Sequence, residues 1–218
     1  MIEAILPAEA AAEEAFSDQP GVALFPEEEA VIARAVDKRR REFTTARACA
    51  RTALARLGLP PVPIVPGLRG APRWPDGVVC SMTHCAGYHA CAVARDRDLL
   101  TIGLDAEPHG KLPDGVLGAV SLAEERERLA ALAATAPGTH WDRMLFSAKE
   151  SVYKAWFPLT QRWLGFEDAS VTIDPEKGTF TARLLVAGPH FNGVPLTGFT
   201  GRWLVCGGLI ITAIAVPA

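Results

Sequence analysis

The chain has 218 residues, of which 49% are hydrophobic and 22% are charged, and its formal net charge is −3 at pH 7. This composition is typical of a globular protein with enough residues for one large domain or two small ones, and it excludes a disordered chain. The small acidic excess argues against a general nucleic-acid or membrane binder, so any anion site must be a local basic cluster.

The N-terminal residues contain no basic stretch followed by an apolar run, and no apolar segment is long enough to cross a bilayer. The five cysteines are an odd number, which favours reduced thiols over a disulfide framework. We therefore expect a cytoplasmic protein without a signal peptide or a membrane span.

The first half begins with residues 1–26, which look irregular, and continues with one helical pattern from about Glu27 to Leu57. Gly58 and Pro60 then stop the helix. The helix carries several arginines, namely Arg39, Arg40, Arg41, Arg47 and Arg51. They form either a solvated helix face or a basic surface for an anion, and the pattern alone leaves both interpretations open.

A proline- and glycine-rich loop separates this helix from three strands. Residues 60–75 contain two arginines and a tryptophan, which is unusual for a mere linker. Residues 78–84, 89–94 and 99–105 have the composition of strands, and the A-G-Y and R-D-R-D segments between them predict turns. We therefore expect the three strands to pair consecutively and antiparallel.

The second half repeats the order of helices followed by a sheet. Ser121 and Glu124 are spaced as a capping box, which predicts a helix of about a dozen residues. Apolar residues at positions 141, 145, 148, 152 and 156 predict an amphipathic helix, which should end at about Phe157 because Pro158 cannot continue it. Four strands are predicted at residues 169–174, 179–186, 199–205 and 209–216.

These elements predict an α+β fold that consists of a pseudo-twofold pair of similar α+β subdomains. The N-terminal half would span residues 1–106 and the C-terminal half residues 107–218. Each half would be a small antiparallel sheet with helices, and a cleft would lie between the halves. The halves have no evident sequence identity, so the predicted repeat is one of topology only.

Two carboxylates follow an apolar strand in the segment L-D-A-E-P. On an extended backbone Asp105 and Glu107 point to the same face, roughly 6–7 Å apart. Two carboxylates in that arrangement repel each other unless a cation or a shared proton lies between them, and oxygen ligands of this kind suit Mg²⁺. The alternative is a solvated strand end that leads into a turn at Pro108.

A third carboxylate and a lysine lie on the predicted amphipathic helix. Glu150 and Lys154 are four residues apart, so they lie one turn above one another on the face away from the apolar stripe. The alternative is a surface ion pair that stabilises the helix by a few tenths of a kcal/mol.

The predicted first sheet contains histidine and cysteine residues within a short stretch, namely Cys80, His84, Cys85, His89 and Cys91. Structural zinc prefers two pairs of closely spaced ligands on tight turns, whereas these side chains would alternate along strands and point different ways. His84 is therefore either a half-buried core histidine or a contact for a ligand. The whole set of acidic, basic and histidine residues suits a phosphate-bearing substrate whose pyrophosphate bridges to Mg²⁺.

Four motifs carry a resemblance to a known family. G-L-D-A-E-P at residues 103–108 precedes F-S-A-K-E-S-V-Y-K-A-W at residues 146–156 by some forty residues, after a G-x-P-x-W-P loop at 70–75 and S-x-T-H at 81–84. In this order and spacing they resemble the 4′-phosphopantetheinyl transferases of the two-halved Sfp/EntD type. The arginine helix and T-H-C-A-G-Y are similar to the actinobacterial branch in particular.

The resemblance implies a reaction and its participants. The family transfers 4′-phosphopantetheine from coenzyme A to a serine hydroxyl of apo acyl or peptidyl carrier proteins and releases adenosine 3′,5′-bisphosphate. It implies dependence on Mg²⁺, for which Mn²⁺ could substitute. Carrier proteins of fatty-acid, polyketide and non-ribosomal peptide synthesis all present this serine. A monomer is expected, because two fused halves complete a cleft without a partner.

The resemblance also implies site residues. Asp105, Glu107 and Glu150 would hold the metal. Glu150 would also act as the base for the serine hydroxyl, either directly or through a bound water, and Lys154 would neutralise charge on the pyrophosphate oxygens. The residues expected to contact coenzyme A, two of which also belong to the catalytic set, are Arg39, Arg47, Arg69, Ser81, Met82, Thr83, His84, Asp105, Lys149 and Lys154.

The sequence departs from the family pattern at two positions. Ala106 stands where some members have a polar residue near the metal, so a water is expected in that coordination place. Pro66 stands where the family often has a lysine, and Arg69 is the nearest basic residue of that loop. Two other functions compete with the transferase: a non-catalytic carrier-protein or nucleotide-binding module on the same scaffold, and a zinc-stabilised interaction protein.

Overall fold

The computed structural model describes residues 1–85, 87–191 and 193–218. These residues form a three-stranded sheet, a five-stranded sheet and a two-stranded hairpin, all antiparallel, with helices packed against the two larger sheets. The predicted α+β class with antiparallel sheets is therefore confirmed. None of the helices in this described part of the chain combines the length and apolar character that crossing a bilayer would need.

The first sheet has the order β1-β3-β2, with β1 at Ala11–Ala15, β2 at Val78–Cys85 and β3 at Tyr88–Arg95. The expectation that residues 1–26 are irregular was wrong, since they contain β1 and a 3₁₀ turn at Ile2–Ile5. The sequence A-A-E-E-A has weak strand propensity, and pairing with β3 overrides it. The predicted A-G-Y turn between β2 and β3 includes Ala86, which lies outside the described residues.

Two helices stand where the sequence predicted one, because α1 at Pro26–Ile32 ends before α2 begins at Asp37–Arg56. Helix α2 covers the first sheet, and α1 packs against α2. The bend between them brings the fully buried Glu28 of α1 to Arg51 of α2, at 2.9 Å. Glu28 also accepts a hydrogen bond from the backbone N–H of Ile64. Apolar periodicity cannot reveal this buried polar contact, which explains why the single-helix prediction failed.

The second sheet has the order β4-β10-β9-β6-β5. Its strands are β4 at Leu99–Pro108, β5 at Ala169–Asp174, β6 at Thr179–Leu184, β9 at Gly198–Cys206 and β10 at Leu209–Pro217. The short hairpin consists of β7 at His190–Phe191 and β8 at Val194–Pro195. The helices of this half are α3 at Val116–Val120, α4 at Ala123–Thr135 and α5 at Trp141–Thr160.

The predicted pairing of the first three strands is half right. β2 and β3 pair antiparallel as expected, but β4 pairs with β10, where Asp105 lies opposite Thr212. The other edge of β4 meets β2 through side chains: the N–H of Leu104 donates to Ser81 Oγ at 2.9 Å, and that of Ala106 donates to Thr83 Oγ1 at 3.1 Å. The predicted boundary between residues 106 and 107 thus falls within β4, and the division into halves stays a prediction.

Both helix ends predicted in the second half differ from the structure. The residue before α4 is Leu122, whose N–H donates to Glu125 at 2.7 Å, so the capping contact lies one residue later than the predicted pair of Ser121 and Glu124. Helix α5 continues past Phe157 to Thr160 with Pro158 inside it. A proline this close to the end removes only one backbone hydrogen bond, and its fixed φ is compatible with a helix.

Helix α5 lies unusually close to β4 at Gly103. A Cβ atom at this position would be 2.0 Å from the carbonyl oxygen of Ser151 and 2.8 Å from the nitrogen of Ala155. Buried hydroxyl contacts hold α5 on the sheet, since Ser151 Oγ donates to the carbonyl oxygen of Thr212 and Thr101 Oγ1 to that of Ala155. The small residues around Glu150 and Lys154 therefore serve close packing of the helix on the sheet.

Substitution of Gly103 by alanine should lower the free energy of unfolding by about 3 kcal/mol, because the new methyl group forces two backbones apart. Gly118→Ala in α3 is the matched control, since nothing lies within 4 Å of the Cβ it would add. Alanine favours a helix over glycine, so this control should be neutral or slightly stabilising. Urea unfolding of both variants measures the difference, and equal stability would contradict the close approach.

Candidate active site

The candidate site lies where β4 faces α5. Every second residue of β4 contacts this helix, from the C-terminal half of the helix to its N-terminal half: Thr101, Gly103, Asp105 and Glu107. The alternate residues Ile102, Leu104 and Ala106 are buried on the opposite side, in an apolar cluster. The period of two along the strand therefore places both carboxylates of L-D-A-E-P on the helix side, as the sequence predicts.

Asp105 is almost fully buried, with 5% of its surface exposed. Its Oδ1 accepts hydrogen bonds from Lys154 Nζ at 2.8 Å and from Thr83 Oγ1 at 3.4 Å. Its Oδ2 is buried and has no hydrogen-bond partner among the described residues. A buried, unsatisfied carboxylate oxygen costs free energy, so this atom indicates a place for a ligand.

Glu107 forms an ion pair with Arg143, whose Nη1 donates to Oε2 at 2.9 Å. Burial raises the pKa of Glu107 above its ordinary value, and the charge of Asp105 raises it further. The guanidinium of Arg143 acts in the opposite direction and lowers this pKa. Glu107 is therefore a desolvated carboxylate that one arginine partly neutralises.

Glu150 lies on the same face of α5 as Lys154 and borders two cavities. Burial raises the pKa of its carboxyl above the ordinary 4.5, and Asp105 and Glu107 raise it further, whereas Lys154 lowers it. No hydrogen bond contributes to this shift. Glu150 is thus a carboxylate with a raised pKa that faces open space, which suits a proton acceptor.

The donor set fits a hard cation. The charge of Asp105 raises the pKa of both Glu107 and Glu150, which places the three carboxylates near one another, and Asp105 offers an unsatisfied oxygen. Within residues 1–85, 87–191 and 193–218, no three His, Cys, Asp or Glu side chains converge closely enough to hold a metal ion alone. Magnesium sites commonly use only one or two carboxylates together with substrate phosphates and waters, so the donor chemistry remains suitable.

A cavity of about 650 Å³ opens beside Glu150. Ser81 and Met82 of β2 line one wall, the 67–74 loop with Arg69 lines a second, and Glu150 and Lys154 of α5 line a third. The guanidinium of Arg69 lies 5.6 Å from the centre of the Trp163 ring. A cavity of this volume accommodates a large organic ligand.

A second cavity of about 390 Å³ shares Met82 with the first and extends toward the arginine helix. Arg39, Arg47, Thr83 and His84 lie along it. The structure therefore brings the predicted basic residues of α2 together with the end of β2. Gly70 and Pro72 also line both cavities, so the basic residues of α2 and the carboxylate of Glu150 lie on neighbouring cavities.

Arg47 is held firmly within this second cavity. Its Nε donates to the carbonyl oxygen of Ile64 at 3.1 Å, and its guanidinium carbon lies 3.4 Å from the centre of the Phe43 ring. Burial lowers its pKa to about 10, so it remains a cation at neutral pH. His84 is more exposed, its Nε2 lies 3.7 Å from Glu42, and burial lowers its pKa.

The hydroxyls of Ser81 and Thr83 have a structural task that the sequence did not suggest. Both side chains are buried and accept hydrogen bonds from the backbone of β4, so they fix the two sheets to each other beside Asp105. Cys80 points to the opposite side, into the core between α2 and the first sheet. Alternation along β2 places Cys80 and His84 on the same face, but four residues of extended strand hold their Cα atoms roughly 13 Å apart, which argues against a shared zinc site.

Lys149 has its ammonium group buried against acceptors of the fold. Its ammonium group contacts Glu125 at 2.8 Å and donates to the carbonyl oxygens of Phe166 at 2.6 Å and Ala169 at 3.0 Å. An ammonium has three donors, so these acceptors use all of them. The structure therefore does not support the expectation that Lys149 lies near the phosphates, and burial lowers the pKa of this lysine.

Sequence reasoning missed Arg143, although a signal for it was present. Arg143, Glu150 and Lys154 recur at spacings of seven and four residues, which place them on one face of α5. The prediction used only the motif around Glu150 and did not include the preceding turns of the helix. Tyr153 and Trp163, whose rings lie 5.1 Å apart near the same cavities, were also missed.

Comparison with known proteins gives matches over nearly the whole chain. A family model for the 4′-phosphopantetheinyl transferase N-terminal domain matches residues 27–94, and one for the 4′-phosphopantetheinyl transferase superfamily matches residues 101–195. The chain is 61% identical to 4′-phosphopantetheinyl transferase Svp of Streptomyces mobaraensis, over 100% of the chain and 90% of the relative.

Two further relatives are similar over almost their full lengths. Identity is 51% to 4′-phosphopantetheinyl transferase PptT of Mycobacterium tuberculosis, over 99% of the chain and 98% of the relative. It is 53% to 4′-phosphopantetheinyl transferase Npt of Nocardia iowensis, over 99% of both chains. The predicted resemblance to the actinobacterial branch is therefore confirmed.

Proposed function

Because the chain belongs to the 4′-phosphopantetheinyl transferase superfamily and is an enzyme of that class, we propose that it transfers 4′-phosphopantetheine from coenzyme A to a serine of apo acyl or peptidyl carrier proteins. One arrangement carries this proposal: Glu150 and Lys154 line a large cavity, and Lys154 pairs with the buried Asp105, whose Oδ2 has no partner among the described residues. Anionic substrate, cation and proton acceptor can meet there.

The reaction breaks a phosphoanhydride bond and forms a phosphodiester bond. The serine oxygen of the carrier protein forms a bond to the phosphorus next to pantetheine, and the bond from that phosphorus to the bridging oxygen breaks. Adenosine 3′,5′-bisphosphate leaves with this oxygen, and the serine proton goes to Glu150, directly or through a water. The raised pKa of Glu150 supports this role, because a base works best when its pKa lies near the working pH.

Cationic residues stabilise the charge that develops on the phosphate oxygens. Lys154 Nζ is held between Asp105 Oδ1 and the carbonyl oxygen of Leu104, both at 2.8–2.9 Å, so it is preorganised at the wall of the cavity. Arg39, Arg47 and His84 bind the adenosine and phosphate portion in the second cavity. Met82 lines both cavities, Arg69 and Ser81 line the first, and Thr83 lines the second, so these residues are the further contacts for coenzyme A.

Asp105, Glu107 and Glu150 are the residues that would hold Mg²⁺, or Mn²⁺ in its place. A bound ion would supply positive charge that neutralises part of the charge on the pyrophosphate. The chain's own contribution is to keep carboxylate oxygens available for it: Lys154 and Arg143 each engage only one oxygen of their partner carboxylate. We further propose that the protein acts as a cytoplasmic monomer.

Incubation of this protein with an apo acyl carrier protein, coenzyme A and Mg²⁺ should add about 340 Da, the mass of one phosphopantetheine, to the carrier. Intact-mass spectrometry measures the gain, and EDTA should abolish it. The control is a carrier variant in which the acceptor serine is alanine. No gain with several carrier types, despite measurable coenzyme A binding, would indicate a non-catalytic binding module.

A further inference from the structure

Arg143 is fixed in place by three different acceptors. Its Nη1 donates to Glu107 Oε2 at 2.9 Å, its Nε to the carbonyl oxygen of Gly110 at 3.1 Å, and its Nη2 to that of Lys111 at 2.9 Å. The planar fork of a guanidinium can satisfy three such acceptors at once, whereas a lysine ammonium presents a single point charge. Arg143 therefore connects the first turn of α5 with both the end of β4 and the segment that follows it.

The neighbouring residue strengthens this connection. Oδ2 of Asp142 accepts a hydrogen bond from the N–H of Leu112 at 2.9 Å, and His109 Nε2 accepts one from the N–H of His140 at 3.2 Å. The start of α5 thus holds the 109–112 segment at several points. The position of the Glu107 carboxylate relative to the rest of α5 follows from these contacts.

The charges at the site are arranged as two pairs and one unpaired carboxylate. Lys154 pairs with Asp105 at 2.8 Å and Arg143 with Glu107 at 2.9 Å, while the carboxylate of Glu150 faces the cavity. Two cations therefore offset two of the three negative charges. Without Arg143, a half-buried Glu107 would lie beside Asp105 with no cation of its own, and the site would attract a divalent ion more strongly.

We propose that Arg143 is a positioning residue for Glu107, which it holds through Oε2 while it weakens the attraction of the substrate-free site for a divalent cation. The ion is then held firmly only when the pyrophosphate of the substrate supplies further oxygens. This inference rests on the proposed function, and it assigns to Arg143 a role in the metal dependence of that reaction. Arg143 itself contacts neither reacting atom.

The test is a titration of Mn²⁺ by electron paramagnetic resonance, on wild-type protein and variants without coenzyme A. Arg143→Met should bind Mn²⁺ about 3- to 10-fold more tightly, because the competing cation is gone. The same variant should have a kcat about 10-fold lower at saturating metal, because Glu107 is no longer fixed. If Arg143 served only the fold, its loss would lower both the Mn²⁺ affinity and kcat. Weaker or unchanged Mn²⁺ binding by Arg143→Met would therefore overturn the proposal.

Two further variants separate charge from position. Arg143→Lys keeps the charge but loses the fork, so its Mn²⁺ affinity should stay within about twofold of wild type while its kcat falls about 10-fold. An unchanged kcat would remove the positioning role, and this variant carries the test if Arg143→Met fails to fold. In a Glu107→Gln background, Arg143→Met should change Mn²⁺ affinity by less than about twofold, because the partner is already gone. A full effect there would contradict action through Glu107.

The proposed function and this inference fail in distinguishable ways. If the wild-type protein modifies carrier proteins, and Arg143→Met has the same Mn²⁺ affinity and kcat, only the role of Arg143 is refuted. If the wild-type protein modifies no carrier, and Arg143→Met still binds Mn²⁺ more tightly than wild type, the proposed reaction is refuted. In that case the effect of Arg143 on the carboxylates would stand.

Discussion

Glu150→Gln is expected to lower kcat by about 10³-fold or more, because it removes both the proton acceptor and one candidate metal ligand while its shape is kept. Among the three carboxylates of the site, Glu150 lines both the large cavity and the small one beside it. The apparent affinity for coenzyme A should change much less than kcat, since the basic residues of the second cavity remain. Initial rates of carrier modification give both quantities.

Glu127→Gln is the matched control, because Glu127 is an exposed glutamate on α4. It should keep wild-type kinetics, and both variants should have wild-type thermal stability within a few degrees. If Glu150→Gln retained near-normal turnover, Glu150 would have no place in the mechanism. The proton acceptor would then be a water bound by Asp105 and Glu107.

The pH dependence of the wild-type enzyme should reflect the environment of Glu150. Burial and the charges of Asp105 and Glu107 raise its pKa above 4.5. A base must be ionised to accept a proton, so kcat/KM should fall as the pH decreases through this raised pKa and level off above it. An acid limb at the pKa of an ordinary exposed glutamate would show that the desolvation of Glu150 does not persist in the working enzyme.

Motif spacing predicted that Asp105 and Glu107 share a strand face and that Glu150 and Lys154 share a helix face, because spacing reports which side chains point the same way. The period of two along β4 and the spacing of four along α5 are local rules, and both hold in the structure. Local rules cannot say which element the strand pairs with. β4 joins β10, more than a hundred residues later in the chain, and this pairing depends on the tertiary fold.

The roles of polar residues were predicted less well, because a charged side chain in a motif can serve either a ligand or the fold. Lys149 is adjacent to Glu150 in the sequence, yet neighbouring helix positions point about 100° apart, and its ammonium is buried against Glu125. Arg51 shares a helix face with Arg47 but is occupied by the buried Glu28. Partners of this kind come from distant parts of the chain and leave no trace in local spacing.

The second large effect is expected for Lys154→Met, which removes the cation that contacts the buried Asp105 carboxylate. Loss of one partner of a buried pair leaves an uncompensated charge, but Lys154 is about a quarter exposed, which reduces the cost. The free energy of unfolding should therefore fall by about 1–3 kcal/mol. The rate of transfer should fall by about 10²-fold or more, because a preorganised cation at the developing charge is lost.

The double variant Lys154→Met with Asp105→Asn separates the two consequences. The amide carries no charge, so the double variant should regain most of the lost stability in urea unfolding. Its transfer rate should stay as low as that of the single variant or lower, because neither the cation nor the carboxylate is restored. Recovery of the rate together with stability would mean that Lys154 serves only to neutralise Asp105 in the fold. Recovery of stability alone would separate its contribution to the fold from its contribution to the reaction.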